Sequence, residues 1–153
     1  MSSFTTLLKV SPLPDGRTWL VQEEFDYHLG AEDSPKFIHV PAGFETDFAS
    51  TDYLQYVAII LTIVYGALAF FVNVPDWLGA IFMAVVLAAL LITPYGKPSK
   101  AAVLHDWLYH CKIYTRKQSD QIFREAMLVC GAACWKVTAM YWAVRVFGFV
   151  SWA

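Results

Sequence analysis

The run YLQYVAIILTIVYGALAFFVNVPDWLGAIFMAVVLAALLITPYG, Tyr53 to Gly96, decides how the rest of the chain is read. Its 44 residues carry one formal charge, Asp76. Tyr53–Pro75 gives 23 charge-free residues and Trp77–Gly96 gives 20. Each is near the ~20 apolar residues that cross a ~30 Å hydrocarbon core. Between them, Asn73-Val74-Pro75-Asp76 joins a proline to polar residues and suits a tight turn. Tyr53, Tyr56, Trp77 and Tyr95 stand near the span ends, where amphipathic rings favour the headgroup layer. Two helices apolar on every face need cover all round, and the other 109 residues are too few to wrap them. The sequence predicts a transmembrane helical hairpin over residues 53–96.

The flanks differ in charge. Residues 1–52 hold three basic and nine acidic side chains, whereas residues 97–153 hold eight basic and three acidic. Lys97, Lys100, Lys112, Arg116 and Lys117 follow the second span, and the turn has no Lys or Arg. The positive-inside rule then sets both flanks on the cytoplasmic side of a membrane. The hairpin begins about 50 residues in, and Met1-Ser2-Ser3-Phe4 lacks a basic n-region, so no signal peptide is expected. The chain is 153 residues long, 58% hydrophobic and 16% charged, with a mean hydropathy of +0.46. That apolar share disfavours disorder and an ordinary cytosolic globule. A net charge of −2 disfavours a nucleic-acid partner. Cys111, Cys130 and Cys134 are odd in number without a CxxC pair, which excludes a disulfide framework.

Within the flanks, β-rich runs come first: Phe4–Val10, Arg17–Gln22 and Phe37–Val40, with Pro14-Asp15-Gly16 as a turn between the first two. Helices follow. Lys100–Lys112 sets Ala101, Leu104, His105 and Leu108 on one face. Thr115-Arg116-Lys117-Gln118 is a capping-box pattern opening a helix to about Cys130. A third, aromatic helix runs near Trp135–Phe147 and stops at Gly148. The expectation is one α+β domain, a β-rich part (1–52) packed on a helical part (97–153), interrupted by the transmembrane hairpin (53–96).

Four polar residues stand where apolar ones would be expected. His105 and Asp106 are consecutive on the Lys100–Lys112 helix. Asp120 shares a face with Phe123 and Met127, and Asp47 lies in the loop Pro41–Ser50. A buried carboxylate needs a partner or a metal. Two short antiparallel helices joined by Cys111–Thr115 would bring His105 to Asp120. A carboxylate accepting from one imidazole nitrogen leaves the other as a general base. Asp106, ~100° further round, faces a cation or the Asp47 loop. The same residues also read as a satisfied core histidine with capping or turn-forming acids.

The stretches Pro41-Ala-Gly-Phe-Glu-Thr-Asp-Phe-Ala-Ser50, Lys100-Ala-Ala-Val-Leu-His-Asp-Trp-Leu-Tyr109, Ser119-Asp-Gln-Ile-Phe-Arg-Glu-Ala-Met127 and Met140-Tyr-Trp-Ala-Val-Arg-Val-Phe-Gly148 together resemble a family of small phage and prophage proteins. That family is known only as domain of unknown function thirteen fifty-three. Its members pass from the TDFAS loop to the Lys-Ala-Ala helix by a short link, which the hairpin replaces here. More distantly, His105-Asp106-x-x-Tyr109 with Asp120-x-x-Phe123 is similar to the core of phospholipase A₂ enzymes, above all small bacterial ones with a Thr-Asp loop before the His-Asp helix. Leu104 and Leu108 stand where those enzymes carry cysteines. The resemblance implies catalytic roles for His105 as base, Asp120 as its orienting acid and Tyr109 as a buttress. It also implies a calcium ion held by Asp47, Asp106 and a carbonyl near Phe48, polarising an ester.

Other patterns are weaker. His39 with His105-Asp106 and Asp120 echoes metal-dependent phosphohydrolases, but His39 lies in a predicted strand. His105 and His110 lie ~140° apart on a helix, which defeats a zinc site with Cys111. Cys130 and Cys134 share a face and read as core thiols. The aromatic C-terminus, Trp135, Trp142, Phe147, Phe149 and Trp152, suits a bilayer interface or packing on the β-rich part. Two functions are thus expected: a membrane-associated, calcium-dependent lipid ester hydrolase, or a non-enzymatic phage membrane or virion structural protein aiding genome entry or lysis. Their partners would be a lipid bilayer and other phage proteins.

Overall fold

A computed structural model describes residues 2–31, 34–48, 50–72, 74–91 and 96–152. The chain forms two units, Met1–Ala49 with Pro94–Ala153, and Ser50–Thr93.

The first unit opens with short strands: β1 (Ser3–Phe4), β2 (Val10–Pro12), β3 (Trp19–Val21), β4 (Phe25–His28), β5 (Phe37–Val40) and β6 (Glu45–Thr46). They form two antiparallel sheets, ordered β1-β4-β5 and β2-β3-β6. Side chains alternate as a pleat requires. Phe25, Tyr27, Ile38 and Val40 are buried, whereas Phe37 and His39 are exposed. The β2–β3 turn is closed by Asp15, whose Oδ1 accepts from the Arg17 and Thr18 amides at 3.1 and 2.9 Å. Gly16 supplies a φ of 69° there.

The expected continuous strand Phe4–Val10 does not form. β1 pairs with β4 and β2 with β3, so the chain changes sheets between Phe4 and Val10. β4 was not expected, although Glu24-Phe25-Asp26-Tyr27-His28 alternates polar with apolar residues as a half-buried strand does. β6 lies inside the expected Pro41–Ser50 loop and brings Thr46 opposite Trp19.

The helical part follows as α3 (Ser99–Cys111), α4 (Arg116–Val129), α5 (Cys134–Phe147) and α6 (Phe149–Trp152). α3 ends at Lys112, left-handed with φ 51°, whose amide donates to the Leu108 carbonyl. Thr115 then caps α4 in a complete capping box with Gln118. α3 packs on α4 and α4 on α5. Their shared core contains Ala101, Leu104, Leu108, Phe123, Ala126, Met127, Val137 and Val144. The N-terminus is fastened to this layer through Ser2, whose hydroxyl donates to Glu125 and accepts from the Gly30 amide.

The second unit is a helical pair, α1 (Ser50–Phe71) and α2 (Asp76–Leu91), with the Tyr65 and Phe82 rings stacked 4.4 Å apart. The transmembrane reading of this pair is corrected here. Among the described residues, no helix is long and apolar enough to cross a membrane. The charge-free runs are not helical throughout, since Val72, Val74 and Pro75 lie outside α1, and the described part of α2 is Asp76–Leu91. At 1.5 Å per residue, the 16 described residues of α2 span about 24 Å, against ~30 Å of hydrocarbon. α1 opens on the polar Ser50-Thr51-Asp52. The membrane localisation, with both flanks on its cytoplasmic side, rested on those spans and falls with them. Of the rings expected at an interface, the side chains of Tyr53 and Tyr56, and all of Tyr95, lie outside the described residues.

Candidate functional site

Helical spacing puts His105 and Tyr109 one turn apart on the face of α3 that meets α4. On α4, Asp120 faces them. The His105 Nε2 lies 3.0 Å from Asp120 Oδ1, and the Tyr109 hydroxyl donates to the same oxygen at 2.6 Å. The second carboxylate oxygen accepts from Arg145 Nη1 of α5, also at 2.6 Å. Three helices therefore meet on one carboxylate.

The network is enclosed. His105 is 2% exposed and Asp120 is 0% exposed. The imidazole lies between the Tyr109 and Phe123 rings, with centroids 4.1 and 4.5 Å away. Burial lowers the pKa of His105 against the pull of Asp120, favouring the neutral ring. For Asp120, burial pushes the pKa up, but hydrogen bonds from His105, Tyr109 and Arg145 outweigh it, leaving it below the usual carboxylate range. Burial and the neighbouring Asp120 raise Tyr109. Asp120 in turn raises Arg145, whose side chain is 25% exposed. Arg116 Nη1 donates to the Val144 and Arg145 carbonyls at 3.4 and 3.2 Å, fastening the end of α5 that carries Arg145.

A second cluster forms around Asp106. Its carboxylate accepts from the Thr46 hydroxyl of β6 and from the Phe48 backbone amide. The Phe48 amide also donates to Thr46 Oγ1 at 3.3 Å, in a backbone held at φ 51°. Burial of its carboxyl pushes the Asp106 pKa up to about 7, and the nearby charge of Asp47 adds to this. Asp106 keeps some residual surface, and Asp47 is exposed. The Phe48 ring is buried and meets Trp19 edge-on at 6.0 Å.

Of the residues proposed from the sequence, His105, Asp120 and Tyr109 come together as one cluster, and Asp106 with the Asp47–Phe48 loop as another. His105 and Asp106 are consecutive and face different elements, α4 and β6 respectively. Asp106 accepts from two hydrogen-bond donors, one of them the Phe48 amide, and burial raises its pKa. Among the described residues, no group of three or more His, Cys, Asp or Glu side chains could hold a metal. His39 lies apart, with its Nδ1 2.7 Å from Asp26 Oδ1 at the exposed edge of β5. Cys111, Cys130 and Cys134 are free thiols.

Sequence reasoning missed Arg145 and Thr46. Arg145 was detectable as the single cation in the aromatic run Met140–Phe149. Thr46 gave no signal, because its role depends on the pairing of β6 with β3.

An α+β domain with a buried carboxylate tying three helices is the class defined by fold and site. Residues 62–144, more than half of the chain, match the family described as Protein of unknown function (DUF1353), and the chain belongs to that family. No curated protein and no solved structure matches it. The family description names no activity, and the expected transmembrane, calcium-dependent, phospholipase-like hydrolase has no footing in it.

Proposed function

We propose that this chain is a non-enzymatic structural component of a phage assembly, in which the His105–Asp120–Tyr109–Arg145 network fixes the fold. The observation that carries this reading is the enclosure of the imidazole. A general base must come within about 3 Å of the proton it removes, or reach it through one water. His105 has 2% of its surface exposed and lies between two rings. Its orienting carboxylate is also drawn to a guanidinium, which weakens its support for an imidazolium. Exposed aromatics on α5 and α6, namely Trp135, Trp142 and Phe149, support a role in contact with other proteins.

The test sets wild type beside His105→Gln. Fatty-acid release from mixed lipids is measured with and without calcium, and thermal unfolding is followed in parallel. The reading expects no release from either protein and a lower melting temperature for the variant. Calcium-dependent release by wild type that disappears in His105→Gln, with the variant still folded, would overturn it.

A further inference from the structure

A cleft of about 450 Å³ opens in the first unit, away from the His105 network. Such a volume lies within the range of small-molecule sites, about 300–1,000 Å³. Its walls are mainly apolar and include Leu8, Val10, Trp19 and Phe48, with Lys97 and Lys100 beside them. Lys97 is exposed, whereas Lys100 is partly buried. The Lys100 ammonium lies 4.5 Å from the Phe4 ring centroid and 5.4 Å from that of Phe25. These rings lie outside the cleft lining and flank the ammonium without neutralising it. Among the described residues, no carboxylate lies within ion-pair distance of Lys100 or Lys97. Burial lowers the Lys100 pKa against an opposing pull from the Cys130 thiol, which also lines the cleft.

We infer that this cleft binds an amphipathic organic anion, an alkyl or aryl carboxylate whose apolar body lies on Trp19, Phe48, Leu8 and Val10 and whose charge meets Lys100 and Lys97. The apolar walls account for the body and the two unpaired cations for the head group. A neutral ligand would leave both ammonium groups uncompensated beside an apolar surface. A cationic ligand would be repelled. The inference is independent of the proposed structural role.

Decanoate is the probe, titrated into the full chain by calorimetry, with decanol and decyltrimethylammonium as neutral and cationic controls. Saturable one-to-one binding of decanoate is expected, at least roughly tenfold tighter than either control. Lys100→Gln, which keeps most of the stem, should weaken decanoate roughly tenfold and leave decanol unchanged. Lys97→Gln, at an exposed position that packing does not constrain, should weaken decanoate in the same direction and guards against misfolding of the first variant. Absence of saturable decanoate binding overturns the inference. Equal binding of all three probes, or decanoate affinity unchanged in both lysine variants, also overturns it, since apolar adsorption alone would then account for the uptake.

Discussion

Asp120 Oδ1 receives both the His105 imidazole, at 3.0 Å, and the Tyr109 hydroxyl, at 2.6 Å, two side chains from successive turns of one helix. A carboxylate on α4 thereby fixes the rotation of α3 about its own axis. Arg145, on the other oxygen, does the same for α5.

Removing His105 should be costly. His105→Ala leaves a cavity and takes a donor from a fully buried carboxylate, with an expected loss of about 3–5 kcal/mol. His105→Gln restores an N–H toward Asp120 and should recover part of it. Urea unfolding of the three proteins measures both values. Equal stability of His105→Ala and wild type would mean that the network contributes nothing to the fold.

The Arg145–Asp120 pair should show coupling. A double-mutant cycle of Arg145→Met and Asp120→Asn is expected to give an interaction energy of about 1–3 kcal/mol. The arginine is partly exposed, which holds the figure below that of a fully enclosed pair. Additive effects within about 0.5 kcal/mol would contradict the geometry.

The contributions of His105 and Asp120 to stability should fall on acidification in two stages. His105 has a lowered folded pKa, so as pH drops through about 6.5 the unfolded chain takes up a proton that the folded one resists. Asp120 is also lowered, so its contribution is present above about 3.9 and is lost as pH falls through its folded value. Unfolding free energies from pH 8 to 3 test this. In His105→Gln, the stage beginning near 6.5 should be absent.

Asp106 acts in the opposite direction. Its folded pKa, about 7, exceeds the unfolded value, so the folded state holds the extra proton and stability declines as pH rises from about 4 to 7. Asp106→Asn mimics the protonated form and should stabilise the chain at pH 8 by on the order of 2 kcal/mol, with little effect at pH 4. A variant less stable than wild type at both pH values would show that the ionised form is the one the site prefers.

Gly148 should tolerate no side chain. A Cβ there would clash with the Val144 carbonyl and lie 2.7 Å from the Tyr109 hydroxyl. Gly148→Ala should therefore displace Tyr109 from Asp120 and destabilise the chain by about 1–3 kcal/mol. In a Tyr109→Phe background the loss should shrink, as unfolding curves would reveal.

Where the sequence announced structure, the signal was local. Thr115 and Gln118 marked the start of α4 because a capping box is complete within four residues. The pairing of His105 with Asp120 followed from two short helices joined by a tight connection. Thr46 and Arg145 escaped notice because their partners lie 60 and 25 residues away, and no periodicity encodes such distances. The apolar hairpin misled for a related reason. Absence of charge counts residues, whereas a crossing requires continuous helix, and the non-helical Val72, Val74 and Pro75 consumed part of the first run.

The division of the first unit by the hairpin sets an order on its formation. Thr46 and Phe48 precede the inserted residues, whereas the Asp106 they enclose follows them. During synthesis the strands emerge well before their helical partners, at about 5–20 residues per second. For those seconds Phe25 and Tyr27 lack their helical neighbours Lys100 and Glu125. Nascent chains halted before α3 should therefore be the ones that holdase chaperones grip, and completion of α5 the moment of release.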